Sequence, residues 1–164
     1  MRTLKPERTA LLAIDFQTRL MAAIEDAGAV IANAKRLVDA AALLGVPVLF
    51  TEQYPKGLGS TIEVLAPSEG TAAVKLTFDA CGTAGFMERL GERPDILVMG
   101  CEAHVCVLQT VLSLIDAPRR VFVARDAIGS RRSESKETAI RRMERHGAEI
   151  VTTEMAIFEW LGTA

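Results

Sequence analysis

The chain has no run of about 18 uninterrupted apolar residues, so a membrane-spanning helix is not expected. It has no basic excess: 19 Lys and Arg stand against 21 Asp and Glu, a net charge of −2. A nucleic-acid binder would usually show the opposite balance, so no nucleic-acid partner is expected. It has only two histidines, His104 and His146, with neither C-x-x-C nor D-x-H spacing, so neither a protein-built metal site nor any other cofactor is expected. Glycine-rich nucleotide loops (G-x-G-x-x-G, the Walker loop) and the G-x-S-x-G elbow of serine hydrolases are also missing. The N-terminal M-R-T-L-K-P-E-R-T lacks the apolar stretch of a secretory signal. Three cysteines cannot all be paired within one chain, which points to a reducing, cytoplasmic setting where a thiol can be chemical rather than structural.

What remains is an ordinary globular composition, 49% hydrophobic and 24% charged over 164 residues. That length suits a single domain, residues 1–164, able to bury about 70% of the surface its unfolded form exposes. Short apolar runs alternate with longer amphipathic ones. Strands are expected at 9–16, 46–51, 72–78, 95–101, 120–124 and 149–152. A long helix is expected from Leu20 to Leu44, stopped by Gly45 and Pro47. Ser60 and Glu63 are spaced as a capping box for a short helix. Further helices are expected at 85–90, 104–115, 135–146 and 156–161. Six apolar strands alternating with helices imply an α/β fold: a three-layer, doubly wound sandwich around a six-stranded parallel sheet. Ligands of such sheets bind beyond the carboxyl ends of the strands, where strand order reverses, so residues just after each strand are the first candidates for chemistry.

Three such residues stand out. Asp15 ends the first strand in an apolar setting, where a carboxylate needs a cation or hydrogen-bond donors; a helix N-cap is the alternative role. Lys75 lies within the third strand, between Val74 and Leu76, and a buried lysine needs a partner; it could instead reach water along its stem. Asp15 and Lys75 would each answer the other's electrostatic problem. Cys106 lies where the fourth strand turns into an apolar helix, a place that favours thiolate formation; the alternative is a small buried hydrophobe, which suits Cys101 better. Cys81 has no evident role. His104 is two residues from Cys106, about 200° around a helix, so it is expected at a pocket rim or in a structural role rather than as the base.

The segments I-D-F-Q, T-E-Q-Y-P-K-G-L-G, K-x-x-F and G-C-E-A-H-V-C-V-x-x-T, with D-A-I-G-S-R and T-T-E-M-A-I-F-E further on, resemble the isochorismatase-like cysteine hydrolases, in particular the branch of isochorismatase domain-containing proteins. The resemblance implies a doubly wound sheet and a catalytic triad of Asp15, Lys75 and Cys106. It also implies a cis peptide between Cys101 and Glu102, with the backbone N–H groups of Glu102 and Cys106 forming an oxyanion hole. Nicotinamidases of this fold carry a metal-binding D-x-H after the second strand, where this chain reads T-E-Q-Y; isochorismatases proper lack the nucleophilic cysteine.

The expected activity is hydrolysis of a small amide-like C–N bond through a thioester at Cys106, on a small-molecule substrate and without cofactor. Gln17, Tyr54, Phe78 and His104 are expected in the substrate pocket. The competing readings are a non-catalytic interaction module and a redox-responsive thiol protein on the same fold. The helix at 104–115 is apolar on both sides, which suggests a homo-oligomer, although helices of the same chain could cover it as well.

Overall fold

The structure, a computed structural model, describes residues 3–68 and 70–164; the first two residues of the expected non-signal segment lie outside them. Six strands form one parallel sheet: β1 Thr9–Ile14, β2 Val48–Gln53, β3 Ala73–Lys75, β4 Asp95–Cys101, β5 Arg120–Gly129 and β6 Glu149–Val151. Their order across the sheet is β3-β2-β1-β4-β5-β6, all parallel, so the direction of winding reverses between β1 and β4. This is the doubly wound α/β architecture expected from the sequence.

The central strands are buried on both faces, which is why they read as continuous apolar runs. Alternation divides their side chains. Ala10, Leu12 and Ile14 join Ile96, Val98, Val121 and Val123 in one core layer. Leu11 and Ala13 join Leu97, Met99, Phe122 and Ala124 in the other. Helix α2 (Ala27–Leu44) covers the second layer with Val30, Ala34, Leu37 and Ala41, one stripe of a 3.6-residue period. Burying Val30 and Leu37 contributes about 1.5–3 kcal/mol each. The expected long first helix is split: α1 (Thr18–Met21) precedes α2, and Asp26, with φ of 54°, turns the chain between them. Gly45, at φ 68°, ends α2 and donates its N–H to Ala41 O.

Two other expectations are corrected. Ser60 and Glu63 form no capping box, because the turn at Glu63–Leu65 has no side-chain cap; Glu52 Oε1 instead accepts from the Thr61 N–H at 2.7 Å and its hydroxyl at 2.8 Å. The helix expected from His104 begins as a π-helical turn, Ala103–Val107, and only then becomes α5 (Leu108–Asp116). The remaining helices are α3 (Pro55–Leu58), α4 (Phe86–Leu90), α6 (Ser133–Arg145) and α7 (Thr153–Leu161). The apolar sides of α5 are largely satisfied within the chain: Leu108, Val111 and Leu114 are core residues, and Leu112 and Ile115 pack against them. No helix among the described residues is long and apolar enough to cross a membrane.

Candidate active site

The strand order brings the carboxyl ends of β1, β2 and β3 side by side, with the turn after β4 on the far side of β1. On β2, Leu49 faces the first core layer, and Thr51 and Gln53 continue its face toward the strand end. On β3, Lys75 stands two residues beyond the core residue Ala73 and pairs in register with Gln53. An apolar face thus becomes polar where the sheet ends. Asp15 would point to the opposite layer if β1 continued regularly. It has φ of 53°, a left-handed conformation that aspartate tolerates better than most residues, and its carboxylate meets Thr51 and Lys75 instead.

Asp15 is fully buried and Lys75 is 2% exposed. Lys75 Nζ donates to Asp15 Oδ2 at 2.7 Å and to Gln53 Oε1 at 2.7 Å, with the carbonyls of Thr77 and Phe78 at 3.3 and 3.4 Å. The Thr51 hydroxyl donates to Asp15 Oδ1 at 2.6 Å. Each charge therefore has the partner that its burial requires. The N-cap alternative for Asp15 fails, since the cap of α1 is Gln17 and carries no side-chain cap bond.

Cys106 sits in the π-helical turn, and its Sγ lies 3.9 Å from Gln53 Oε1. Burial, with the nearby Asp15 charge adding to it and Lys75 opposing it, pushes this thiol up to about 12. The expected easy ionisation is thus reversed. The Lys75 ammonium already serves Asp15 and Gln53, and Cys106 lies inside the turn rather than at a helix's first free N–H groups. Burial also raises Cys101, and burial with the adjacent Asp79 pushes Cys81 up to about 12. All three cysteines are free.

Asp15, Gln53, Glu102 and Cys106 line a cavity of about 300 Å³, together with Arg19, Arg131 and an apolar wall that includes Leu20, Leu58, Phe78 and Val105. The Cys101–Glu102 peptide is cis, and the Glu102 carbonyl accepts from the Val105 and Val107 N–H groups. Of the four expected pocket residues, Phe78 lines this cavity. The other three are placed elsewhere. Gln17 is a buried clamp: its Nε2 donates to Gln53 O and Gly59 O, and its Oε1 accepts from Gln53 N–H. Tyr54 is half-exposed, its ring beside Gly57. His104 Nδ1 is 3.0 Å from Ser130 Oγ, and the ring faces a separate cavity with Arg131, Arg132 and Ser135. Sequence reasoning missed Gln53, Arg19 and Arg131. Strand alternation puts Gln53 on the face of Thr51, but an uncharged amide there carries no sign of a role, and Arg19 on α1 and Arg131 after β5 reach the cavity through tertiary placement that leaves no local pattern. Among the described residues, no group of three or more His, Cys, Asp or Glu is disposed to hold a metal ion.

Fold and site together place the molecule in the isochorismatase-like hydrolase class of doubly wound α/β proteins. Residues 9–155 match the isochorismatase domain. Isochorismatase domain-containing protein 2 of Homo sapiens is 34% identical over 164 residues, covering 97% of this chain and 78% of that protein. Isochorismatase family protein 1B of Dictyostelium discoideum is 34% identical over 162 residues, covering 94% and 79%. Among solved structures, MAR1 ribonuclease from Caenorhabditis elegans superposes with a TM-score of 0.91 at 35% identity, covering 98% of this chain and 85% of that one. YcaC from Pseudomonas aeruginosa shares the fold, with a TM-score of 0.90 at 22% identity, covering 99% and 84%. The chain belongs to the isochorismatase family.

Proposed function

We propose that the protein is a cysteine hydrolase of small amide-like C–N bonds, with Cys106 as nucleophile, Asp15 as general base and acid, and Lys75 as the charge that orients Asp15. The observation that carries this reading is that a fully buried carboxylate, held at 2.7 Å by an equally buried lysine, lines the same small cavity as a thiol. Asp15 takes the proton from Cys106 Sγ as sulfur bonds to the substrate carbonyl carbon. The carbonyl electron pair moves onto oxygen, where the N–H groups of Glu102 and Cys106 would receive it. Collapse breaks the C–N bond, and Asp15 returns the proton to the leaving nitrogen. Water then attacks the thioester while Asp15 takes its proton. The C–S bond breaks, and the sulfur recovers that proton as the acid leaves. Because the thiol is pushed up to about 12, deprotonation accompanies attack rather than preceding it.

A panel of amides, carbamates and ureas, screened for amine or ammonia release, tests the reading; the active compounds should leave an acyl group on Cys106 when quenched in acid. Turnover without any Cys106 adduct would reject the thioester route. A redox role predicts oxidation of Cys106 without turnover, and an interaction module predicts neither. The Caenorhabditis elegans relative is described as a ribonuclease, whereas the cavity of about 300 Å³ around Cys106 suits a small molecule, which favours the amide reading. We also propose a homo-oligomer in a reducing, cytoplasmic compartment. The support is the three free cysteines, exposed Val74, Leu76 and Phe78 along and just beyond edge strand β3, and the YcaC product of Escherichia coli, a fold relative described as an octameric hydrolase of unknown specificity.

A further inference from the structure

We infer that Glu102 is a further catalytic residue, whose free carboxylate oxygen Oε1 holds the water that clears the thioester in the second half of the reaction. The inference rests on the hydrolase reading of the same site and assigns a residue to its second step. Glu102 is 7% exposed and lines the Cys106 cavity, but not the neighbouring one beside His104, Arg132 and Ser135. One of its oxygens is committed: Oε2 accepts the backbone N–H of Arg131 at 3.1 Å and its Nε at 3.0 Å. Two donors on one oxygen fix the carboxylate and leave Oε1 without a partner among the described residues. Nor is Oε1 sealed in protein, since among those residues Arg119 Nη1 is the one enclosed side-chain nitrogen or oxygen that lacks a partner. An ionised carboxylate only accepts hydrogen bonds, so Oε1 is an unused acceptor open to the cavity.

The other side-chain oxygens of the cavity are already engaged. Asp15 Oδ1 accepts from Thr51, Asp15 Oδ2 from Lys75, and Gln53 Oε1 from Lys75. Asp15 keeps lone pairs for the proton it moves, but it has no oxygen free of a partner with which to hold a water in place. The charges that act most on the Cys106 thiol are those of Asp15 and Lys75, as expected if Glu102 serves the water and not the sulfur. Departure of the amine makes room for a water, which needs about 30 Å³ in a cavity of about 300 Å³. One O–H of this water donates to Glu102 Oε1. Its oxygen attacks the thioester carbon while Asp15 takes the other proton. The carbonyl then reforms, the C–S bond breaks, and sulfur takes the proton back from Asp15 as the acid leaves. Glu102 neither gains nor loses a proton, because the hydrogen it holds departs with the acid.

The test uses p-nitrophenyl acetate on the intact protein. Acetylation and its reversal at Cys106 are followed by peptide mass spectrometry after an acid quench. Glu102→Gln keeps the size of the side chain and an oxygen for Arg131, and it turns the free atom from an acceptor into an N–H donor. The variant is expected to gain the acetyl group within about threefold of the wild-type rate and to lose it at least about tenfold more slowly, so that acetyl-Cys106 accumulates. Hydroxylamine attacks thioesters without a held water and should clear the group from both proteins at similar rates. A role confined to supporting the turn would slow both steps together, since both pass through the same oxyanion. Equal slowing of the two steps, or loss of the acetyl group at the wild-type rate, overturns the inference and leaves the hydrolase reading standing. Slower acetylation with unchanged loss also overturns it, because Oε1 then serves the leaving group. If Glu102→Gln does not fold, Glu102→Asp, which draws the carboxylate back by one methylene, is read in the same way. A wild-type Cys106 that takes no acetyl group overturns the thioester reading and the inference with it.

Discussion

Replacing Lys75 by methionine removes one half of a buried ion pair while keeping most of the side-chain volume. The Asp15 carboxylate, fully buried, would be left with the neutral Thr51 hydroxyl and Cys106 thiol in place of a cation, and Gln53 Oε1 would lose its 2.7 Å donor. Breaking a buried pair from one side costs about 3–5 kcal/mol, whereas the same change in an exposed pair costs about 0.2–1. With a urea dependence of about 2 kcal/mol per molar, the unfolding midpoint of Lys75→Met should fall by roughly 2 M. The double variant Asp15→Asn, Lys75→Met should lose less than the single one, because no charge is left stranded. The recovery is partial, since Gln53, Thr77 and Phe78 still lack the ammonium. Cys106 supplies an independent readout. Lys75 is the main influence opposing the rise in its pKa, so iodoacetamide should label Lys75→Met more slowly at neutral pH than it labels the wild type. A midpoint shift worth less than about 1 kcal/mol, with unchanged labelling, would mean that the pair behaves as a surface contact and would refute the coupled-site reasoning.

Cys106→Ala should abolish hydrolysis while the far-UV spectrum and unfolding midpoint stay near wild type, and Cys81→Ala and Cys101→Ala should keep most turnover; near wild-type rates in Cys106→Ala would show the nucleophile to be another group. Between pH 7 and 10, Cys106 labelling should rise about tenfold per unit, as expected for a thiol pushed up to about 12, and a plateau below pH 9 would contradict that environment. Raised thiol pKa values also make stability alkali-sensitive: above the ordinary thiol value of 9.0 the unfolded chain releases protons that the folded chain retains, so the buried thiols of Cys101 and Cys106 each lower stability by about 1.4 kcal/mol per pH unit until their own pKa values are reached, and urea titrations from pH 8.5 to 10.5 should show the decline. Gly100→Ala should cost about 3 kcal/mol or more, because Gly100 has φ of 139° and an added Cβ would stand 2.2 Å from Ile14 O between β4 and β1; a midpoint within 0.5 M of wild type would show that the strands can part at little cost.

The sheet was legible because both faces of its central strands are buried, so 10–14 and 96–101 appear in the sequence as unbroken apolar runs. The edges were harder. Strand β3 ends at Lys75 rather than at 78, because the Lys75 ammonium also approaches the carbonyls of Thr77 and Phe78, which belong to a turn and not to the sheet. Strand β5 runs to Gly129, five residues beyond the apolar core of its sequence, since its far end pairs with Gly100 and Cys101 after a register shift. Of the candidate site, Asp15 and Lys75 were legible as charges in apolar strands, each short of a partner. Gln53, whose amide oxygen faces both Lys75 and Cys106, was not. An uncharged amide in a strand creates no electrostatic deficit and so raises no signal until the register places it beside β3.

The thiol is where local sequence rules misled most, and the reason bears on how such a site would work. A cysteine just before an apolar helix suggests free N–H groups and a helix dipole that favour thiolate. In the folded chain the first turn is π-helical, and the Glu102 carbonyl takes the N–H groups of both Val105 and Val107. The one nearby ammonium is 2.7 Å from a carboxylate and 2.7 Å from an amide oxygen, so its field at sulfur is largely cancelled. A buried thiol kept neutral in this way would react slowly with oxidants and stray electrophiles, which react with the thiolate. In the proposed reaction Asp15 would take the proton as a carbonyl arrives to accept the electrons, so that attack and deprotonation would coincide. Selectivity would then lie with whatever can enter the cavity and be held there, which would place the burden of substrate choice on the cavity lining rather than on the reactivity of Cys106 itself.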